Sequence, residues 1–447
     1  MNVYKFGGTS QKDRQSLQQC IKIIRDGSVN DIVIVSAPAG VTDLLIQGFD
    51  EQTSTGEFTR ETFEKIQSRF FEVHPEQEKR AIIESGMNEL ELRISQGMQD
   101  GFGTEQLKDL HYARIASFGE FLEPRLFSEN LKMEGIRSRV GRIEQTMRVH
   151  GPPRNAKYDR CSDPRILEEV SGFDGVTVFS GFYGFDSDGN ILVFSRGGSD
   201  FTQTLVSRAV NADACFNCTD VNGVFPINPN LLTPNAAEKL RTIPELQYEQ
   251  AQELSKQGAK VLHPKCIEPL KEKGIPLYVI NTFDPLGPNT VIGPESRAYI
   301  GVNAVTGRKQ AFTKISLTTG CMDGATGYLQ NFANSFEGVD VETISTSAIE
   351  LSAGFSDPTA DTDLILERLA QYGTAKKQNG QSMIAIVGKG IGRSPAIIGK
   401  FFSTLGVLDI PVDQITKSND YCLWVSIPQH HYERAMVGIY NAMLTRQ

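Results

Sequence analysis

Val3-Tyr4-Lys5-Phe6-Gly7-Gly8-Thr9-Ser10 opens the chain with a β-branched and aromatic run that ends on a lysine and two glycines. Such a run reads as a strand, and the glycines as a tight turn leaving it. Arg14 to Arg25 then places apolar residues at three- and four-residue spacing, which predicts a helix. The alternation continues outward. Asp31 to Ser36, Val176 to Ser180, Ala214 to Thr219 and Pro276 to Val279 read as strands, and Ile115 to Glu134, Thr202 to Val210 and Glu245 to Gln257 as helices. Strands alternating with helices predict an α/β layer structure on a largely parallel sheet from Met1 to about Asp284. Asp186-Ser187-Asp188-Gly189-Asn190, between two apolar runs, predicts a hairpin added to that sheet. Residues 46–112, rich in Glu, Gln and Arg, read as wholly helical, either a lid beside a site or a plain surface bundle.

Composition narrows the function classes. The chain has 447 residues, 39% hydrophobic and 22% charged, enough to bury a sizeable core and too apolar for a disordered protein. Lys+Arg 45 against Asp+Glu 54 gives a net charge of -9, which speaks against nucleic acid as a partner. No stretch approaches the roughly 20 apolar residues of a membrane span. The start shows no signal-peptide pattern, and seven scattered cysteines read as reduced thiols, so a cytoplasmic protein is expected. Cys215 and Cys218 lack a second pair at zinc spacing and alternate like a strand, so no metal site is expected there.

The last third carries an internal repeat. Val339-Asp340-Val341-Glu342-Thr343-Ile344-Ser345-Thr346-Ser347 echoes Ile410-Pro411-Val412-Asp413-Gln414-Ile415-Thr416-Lys417-Ser418. A strand and a helix precede each copy, and a strand and a helix follow it. That order predicts the ferredoxin-like βαββαβ unit twice. The turn-rich Phe283-Asp284-Pro285-Leu286-Gly287-Pro288-Asn289 marks the boundary. The expected domains are 1–284, 298–375 and 376–447, with a strand that the last two can share.

Chemistry concentrates in the strand-to-helix turns. Gly7 and Gly8 free backbone N–H groups for an anion, and Lys5 adds a mobile positive charge suited to phosphate; a plain β–α turn reads the same way. Ser195-Arg196-Gly197-Gly198-Ser199-Asp200 repeats the device, with an arginine fork for a carboxylate. Asp200 near phosphates needs a lysine or Mg²⁺ beside it, or else it is a helix cap. Glu120, on an apolar helix, is costly to bury unless it meets a cation such as a substrate ammonium, or else it is solvated. Ser36 to Asp43, Thr219 to Phe225 and Gly258 to Pro264 are further loops at strand or helix ends. None of the six histidines forms a catalytic triad or metal pattern.

Taken in order, Lys-Phe-Gly-Gly-Thr-Ser, Val-Ser-Ala-Pro-Ala-Gly-Val-Thr-Asp, Phe-Gly-Glu, Arg-Gly-Gly-Ser-Asp, Thr-Asp-Val-Asn-Gly-Val and Gly-Ala-Lys-Val-Leu-His-Pro resemble the aspartokinases over nearly the whole chain. The resemblance implies an amino-acid-kinase (carbamate-kinase-like) αβα sandwich with two C-terminal ferredoxin-like ACT modules. It implies transfer of phosphate from MgATP to the side-chain carboxylate of L-aspartate. Lys5 and Asp200 would be catalytic. Ser36, Thr42, Glu120 and Arg196 would hold the substrate, Glu120 by its ammonium and Arg196 by its α-carboxylate. Lys5, Gly7, Gly8, Thr219, Asp220, Phe225 and Lys260 would bind ATP, with Mg²⁺ mainly on phosphate oxygens. Met322, Tyr328, Leu329, Val341, Glu342 and Ser347 resemble a lysine-binding effector set, and lysine or threonine is the expected effector. A homodimer or tetramer paired through the ACT modules is expected. The chain departs from the family at Leu192-Val193-Phe194-Ser195, where Thr-Thr-Leu-Gly is usual, and at Asn228-Pro229-Asn230, where Asp-Pro-Arg is common. The rival readings are a kinase of this fold for another acid and a non-catalytic amino-acid sensor.

Overall fold

The computed structural model describes residues 1–195, 197–259, 262–294, 300–320, 327–357 and 359–445. They form two compact units. The first comprises Met1–Val224, Thr242–Ser255 and Lys260–Ala298; the second comprises Phe225–Arg241, Lys256–Ala259 and Tyr299–Gln447.

The first unit is built on an eight-stranded sheet. Its strands are β1 (Asn2–Phe6), β2 (Ile32–Val35), β3 (Ser138–Val140), β4 (Val176–Ser180), β5 (Ala214–Thr219), β6 (Glu245–Gln247), β7 (Leu277–Asn281) and β8 (Thr290–Gly293). Their order is β6-β8-β7-β5-β1-β2-β4-β3, and only β7 and β8 pair antiparallel. β2 and β4 are buried at every residue, which is why they read as unbroken apolar runs. α1 (Arg14–Arg25) starts where Asp13 accepts a hydrogen bond from the Ser16 N–H. It buries Leu17, Cys20, Ile21 and Ile24 on a core shared with Tyr4, Val33 and Val35. Each such aliphatic side chain contributes roughly 1.5–3 kcal/mol.

Between β2 and β3 lie α2 (Val41–Thr55), α3 (Arg60–Val73), α4 (Gln77–Asp100), α5 (Glu105–Ala116) and α6 (Phe118–Met133). Phe49, Ile66, Phe70, Leu90, Phe118 and Leu122 share one core among these helices. The expected helix from Ile115 to Glu134 is divided at Ser117, where α5 ends and α6 begins.

Two readings change. Glu245 to Gln247, expected as the start of a helix, is strand β6, drawn out by parallel pairing with β8; the helix begins at Tyr248. The hairpin around Asp186 to Asn190 forms, but Tyr183–Phe185 and Ile191–Val193 make their own two-stranded sheet rather than extending the large one. Phe182, at φ 74, turns the chain away after β4.

The second unit is a six-stranded antiparallel sheet in the order β10-β11-β9-β12-β14-β13. The strands are β9 (Gly301–Thr318), β10 (Thr343–Thr346), β11 (Glu350–Phe355), β12 (Thr374–Lys389), β13 (Gln414–Ser418) and β14 (Cys422–Pro428). The helices are α8 (Tyr328–Asn334), α9 (Thr362–Ala370), α10 (Pro395–Val407) and α11 (Tyr432–Met443). The later half of β9 with α8, β10, β11, α9 and the start of β12 is one complete βαββαβ module. The second copy runs from the later half of β12 through α11 and takes its sixth strand from Gly301 to Arg308, which pairs with Lys389 back to Met383. The sharing follows from length: β9 and β12 have 18 and 16 residues, each enough for two ordinary strands. Separate cores lie under each module, one around Phe332, Phe336 and Phe355, the other around Phe401, Trp424's neighbour Leu423 and Ile439. The residues Phe225–Arg241 join the latter core through Ile227 and Leu240.

Candidate active site

β1 pairs with β2 on one side and with β5 on the other, so strand order reverses beside β1. In open α/β sheets the crevice at the carboxyl ends of such strands is where ligands sit. Lys5, Gly7 and Gly8 leave β1 at this edge, Ser36 follows β2, and Thr219 and Asp220 end β5. α7 (Gly198–Ala209) brings Asp200 to the same place in its first turn, with Gly197 capping it at φ 79.

Lys5 Nζ lies 2.7 Å from Asp200 Oδ1, and both side chains are mostly buried. The pair orients the ammonium and leaves it free to turn toward a phosphate. A Cβ on Gly7 would lie 3.1 Å from Lys5 Nζ, and one on Gly8 would lie 3.0 Å from the Ala37 carbonyl oxygen. The Ser36–Gly40 loop is therefore packed directly on the glycine turn. Its other side meets α6, where a Cβ on Gly119 would lie 2.4 Å from Ala37 Cβ. Gly119→Ala is expected to destabilise the protein by roughly 1–3 kcal/mol by forcing that loop away, read as a lower melting temperature.

This packing buries Glu120, which is 4% exposed. Its Oε2 has no hydrogen-bond partner. Burial pushes the Glu120 carboxyl up from 4.5 to about 7, while a hydrogen bond from the Ala37 backbone and the charge of Lys5 pull the other way. A buried carboxyl group with one oxygen left unpartnered suits a small cation.

Ser36 is fixed by its N–H to Phe6 O at 3.1 Å and by Gln11 Nε2 to its carbonyl at 3.1 Å. Thr42 is half-buried in the first turn of α2. Thr219 Oγ1 donates to Asp220 Oδ1 at 3.2 Å, and Asp220 is exposed. Phe225 belongs to the second unit and packs partly buried on its core. Arg196, Lys260 and Met322 lie outside the described residues.

In the second unit, Tyr328 and Val341 pack on the core of the first module, whereas Leu329 is exposed. Glu342 is paired with Arg308 of β9. Ser347 shapes the β10–β11 turn, its Oγ accepting from the Glu350 N–H at 3.0 Å. Two contributors escaped sequence reasoning: Gln11, and Phe182, whose N–H donates to Thr202 Oγ1 on α7 at 3.2 Å. Only the left-handed backbone at Phe182 is a structural flag of a constrained site, and no sequence pattern announces it.

The chain belongs to the amino acid kinase family, whose model matches residues 1–281. Its relatives are aspartokinases. Aspartokinase 3 of Bacillus subtilis is 25% identical over 464 residues, covering 99% of this chain and 98% of that protein. The bifunctional aspartokinase/homoserine dehydrogenase of Haemophilus influenzae is 25% identical over 475 residues, and the chain spans 57% of its length. The crystal structure of E. coli aspartokinase III in complex with aspartate and ADP aligns over 100% of both chains with a TM-score of 0.84 at 21% identity, a likeness of fold.

Proposed function

We propose that the chain is an aspartate kinase, transferring the γ-phosphoryl group of ATP to the side-chain carboxylate of L-aspartate to give 4-phospho-L-aspartate and ADP. The observation that carries this reading is Glu120, a buried carboxylate with an unpartnered oxygen, in the same crevice as the Lys5–Asp200 pair. One feature suits an amino acid's ammonium and the other suits a phosphate.

Glu120 takes the ammonium, and Ser36 and Thr42 hold the substrate beside it. The substrate carboxylate is already a nucleophile at neutral pH, so no general base is required. Its oxygen attacks the γ-phosphorus while the bond to the bridging oxygen of ADP breaks. Lys5 turns from Asp200 to the charge that builds on the transferring group, and the Gly7 and Gly8 N–H groups hold the phosphates. Thr219 and Asp220 line the nucleotide side, and Arg196 and Lys260 are assigned by resemblance to the substrate carboxylate and the nucleotide. Among the described residues no cluster of three metal-ligating side chains exists, and Asp200 is engaged by Lys5. A magnesium ion bound with the nucleotide would supply charge neutralisation to the phosphates at this edge.

The second unit is the regulatory half, with lysine or threonine, end products made from 4-phospho-L-aspartate together with methionine, as feedback effector. Tyr328, Leu329, Val341, Glu342 and Ser347 are its candidate contacts, and an effector ammonium there competes with Arg308 for Glu342. The sheet edges β10 and β13 carry exposed isoleucines at matching repeat positions, Ile344 and Ile415. Such edges suit pairing with a second copy, giving a homodimer or tetramer. Among the described residues no helix is long and apolar enough to cross a membrane, in keeping with a cytoplasmic enzyme.

The test is ADP release from MgATP and L-aspartate, with hydroxylamine to trap the acyl phosphate and with glutamate as comparison acid. Aspartate-dependent ADP and hydroxamate, suppressed by lysine or threonine, is the expected result. Turnover on glutamate alone would assign another acid, and folded protein with no turnover would remove the kinase reading.

A further inference from the structure

A second carboxylate stands one helical turn behind Glu120. Glu123 lies three residues on along α6, is fully buried, and keeps Oε1 without a hydrogen-bond partner. Two buried carboxylates at this spacing do not both ionise unless something holds one of them as an anion.

A chain of hydrogen bonds leads to Glu123. Lys79, fully buried on α4, and Arg14, at the start of α1, both donate to Asn130 Oδ1, Arg14 at 3.0 Å. Both cations are donors only, so that atom is the amide oxygen. The Asn130 amide nitrogen therefore donates, to Leu126 O at 2.7 Å and to His74 Nδ1 at 3.0 Å. With Nδ1 accepting, the imidazole carries its proton on Nε2, which lies 3.1 Å from Glu123 Oε2. One path of donors thus runs from the two cations through Asn130 and His74 to Glu123. Glu120 has no comparable support.

The other facing charges do not change this picture. Lys5 on β1 faces Glu120, and the Cys20 thiol on α1 faces Glu123. Glu76 closes the far end of the chain, 2.5 Å from Lys79 and paired with Arg14. Arg93 on α4 turns instead to the Arg114 carbonyl at 2.9 Å and to Ser117 Oγ.

We propose that Glu123, buried three residues along α6 at the end of this hydrogen-bond chain, is a positioning residue that adds to burial in leaving Glu120 protonated in the empty site, so that binding the substrate ammonium displaces a proton. The Glu120 carboxylic acid and the ammonium become a carboxylate–ammonium pair, and one proton passes to solvent; no other bond changes. The inference rests on the reading of Glu120 as the ammonium partner. Burial is the main reason Glu120 holds its proton up to about pH 7, and the Glu123 charge adds to it.

The test is proton release on adding L-aspartate to the full chain, by calorimetry in buffers of different ionisation enthalpy. The native protein is expected to release roughly half to three-quarters of a proton per site at pH 6.5 and almost none at pH 8.5. Glu123→Gln removes the neighbouring charge but keeps the shape. It is expected to lower the release at pH 6.5 about twofold or more and to lower the aspartate KM at pH 6 about two- to fivefold, with kcat at pH 8 unchanged. Glu123→Met gives the same reading if the Gln variant does not fold. A loss of packing alone would not move the proton count. Release equal to native in a folded Glu123 variant overturns the proposal. Undiminished release and aspartate binding in Glu120→Gln would instead remove Glu120 as the ammonium partner, and both readings with it.

Discussion

Lys5→Ala is expected to lower kcat by roughly 10²–10³-fold, about 3–4 kcal/mol of transition-state stabilisation, with the aspartate KM changed by less than about threefold. The asymmetry follows from where the ammonium spends its time. At rest Lys5 Nζ is 2.7 Å from Asp200, so removing it deletes an ion pair but no substrate contact that Glu120 supplies. In the transition state the same charge faces the transferring phosphoryl group, where no described neighbour can replace it. Gly7 lies directly against this pair, since a Cβ there would sit 3.1 Å from Nζ. Asp200→Asn tests the other half of the pair: it leaves the lysine charged but unsteered, and a smaller loss of about 10-fold is expected. Steady-state rates with varied aspartate and ATP check both variants, with circular dichroism to confirm folding. A Lys5→Ala enzyme that keeps a tenth of native kcat would sink the assignment.

The sequence made this pair legible because each partner lies beside a glycine pair that leads from a strand to a helix, although the strand before Asp200 belongs to the small separate sheet. The sheet was readable for a similar reason. Ile32 to Val35 and Val176 to Ser180 are buried along their whole length, so burial and β-branched composition coincide. What could not be read depends on partners far along the chain. Glu245-Leu246-Gln247 runs into a helix without a breaker, and only pairing with Thr290–Gly293 makes it a strand. The repeat announced two similar modules and a strand shared between them, but not that Gly301 to Arg308 is the segment that completes the second, because that is set by pairing across the sheet. In the site, Glu120 stood out as an acid on an apolar helix. Glu123 sits on the same helix and did not, since its support comes from His74, 49 residues away. The packing of Ala37 against Gly8 and Gly119 is likewise contact information with no local pattern.

Glu120→Gln carries the other large effect, and its sign differs between binding and stability. The aspartate KM at pH 8 is expected to rise about 30- to 300-fold, because a buried ion pair with the ammonium is replaced by a neutral amide; kcat at saturating aspartate and the ATP KM should move by less than about threefold. Stability runs the opposite way. The folded carboxyl ionises near 7 against 4.5 ordinarily, so the native state binds its proton more tightly than the unfolded chain does. Below about pH 4.5 both states are protonated and the group contributes no difference. Between about 4.5 and 7 the unfolded chain gives up its proton while the native state keeps it, so a destabilisation builds across that window to about 3 kcal/mol and is complete above 7. The glutamine variant removes this charge, so the ligand-free protein should unfold at a higher denaturant midpoint than native at pH 8 and at nearly the same midpoint at pH 4. Saturating aspartate should erase the difference at pH 8 by stabilising only the native protein. Urea titrations at the two pH values, with and without aspartate, measure all four quantities. Weaker binding without the pH-dependent gain would mean that Glu120 is not the buried charge of the empty site, and a gain without weaker binding would mean that the ammonium lies elsewhere. Only the combination of both assigns one carboxylate to both tasks.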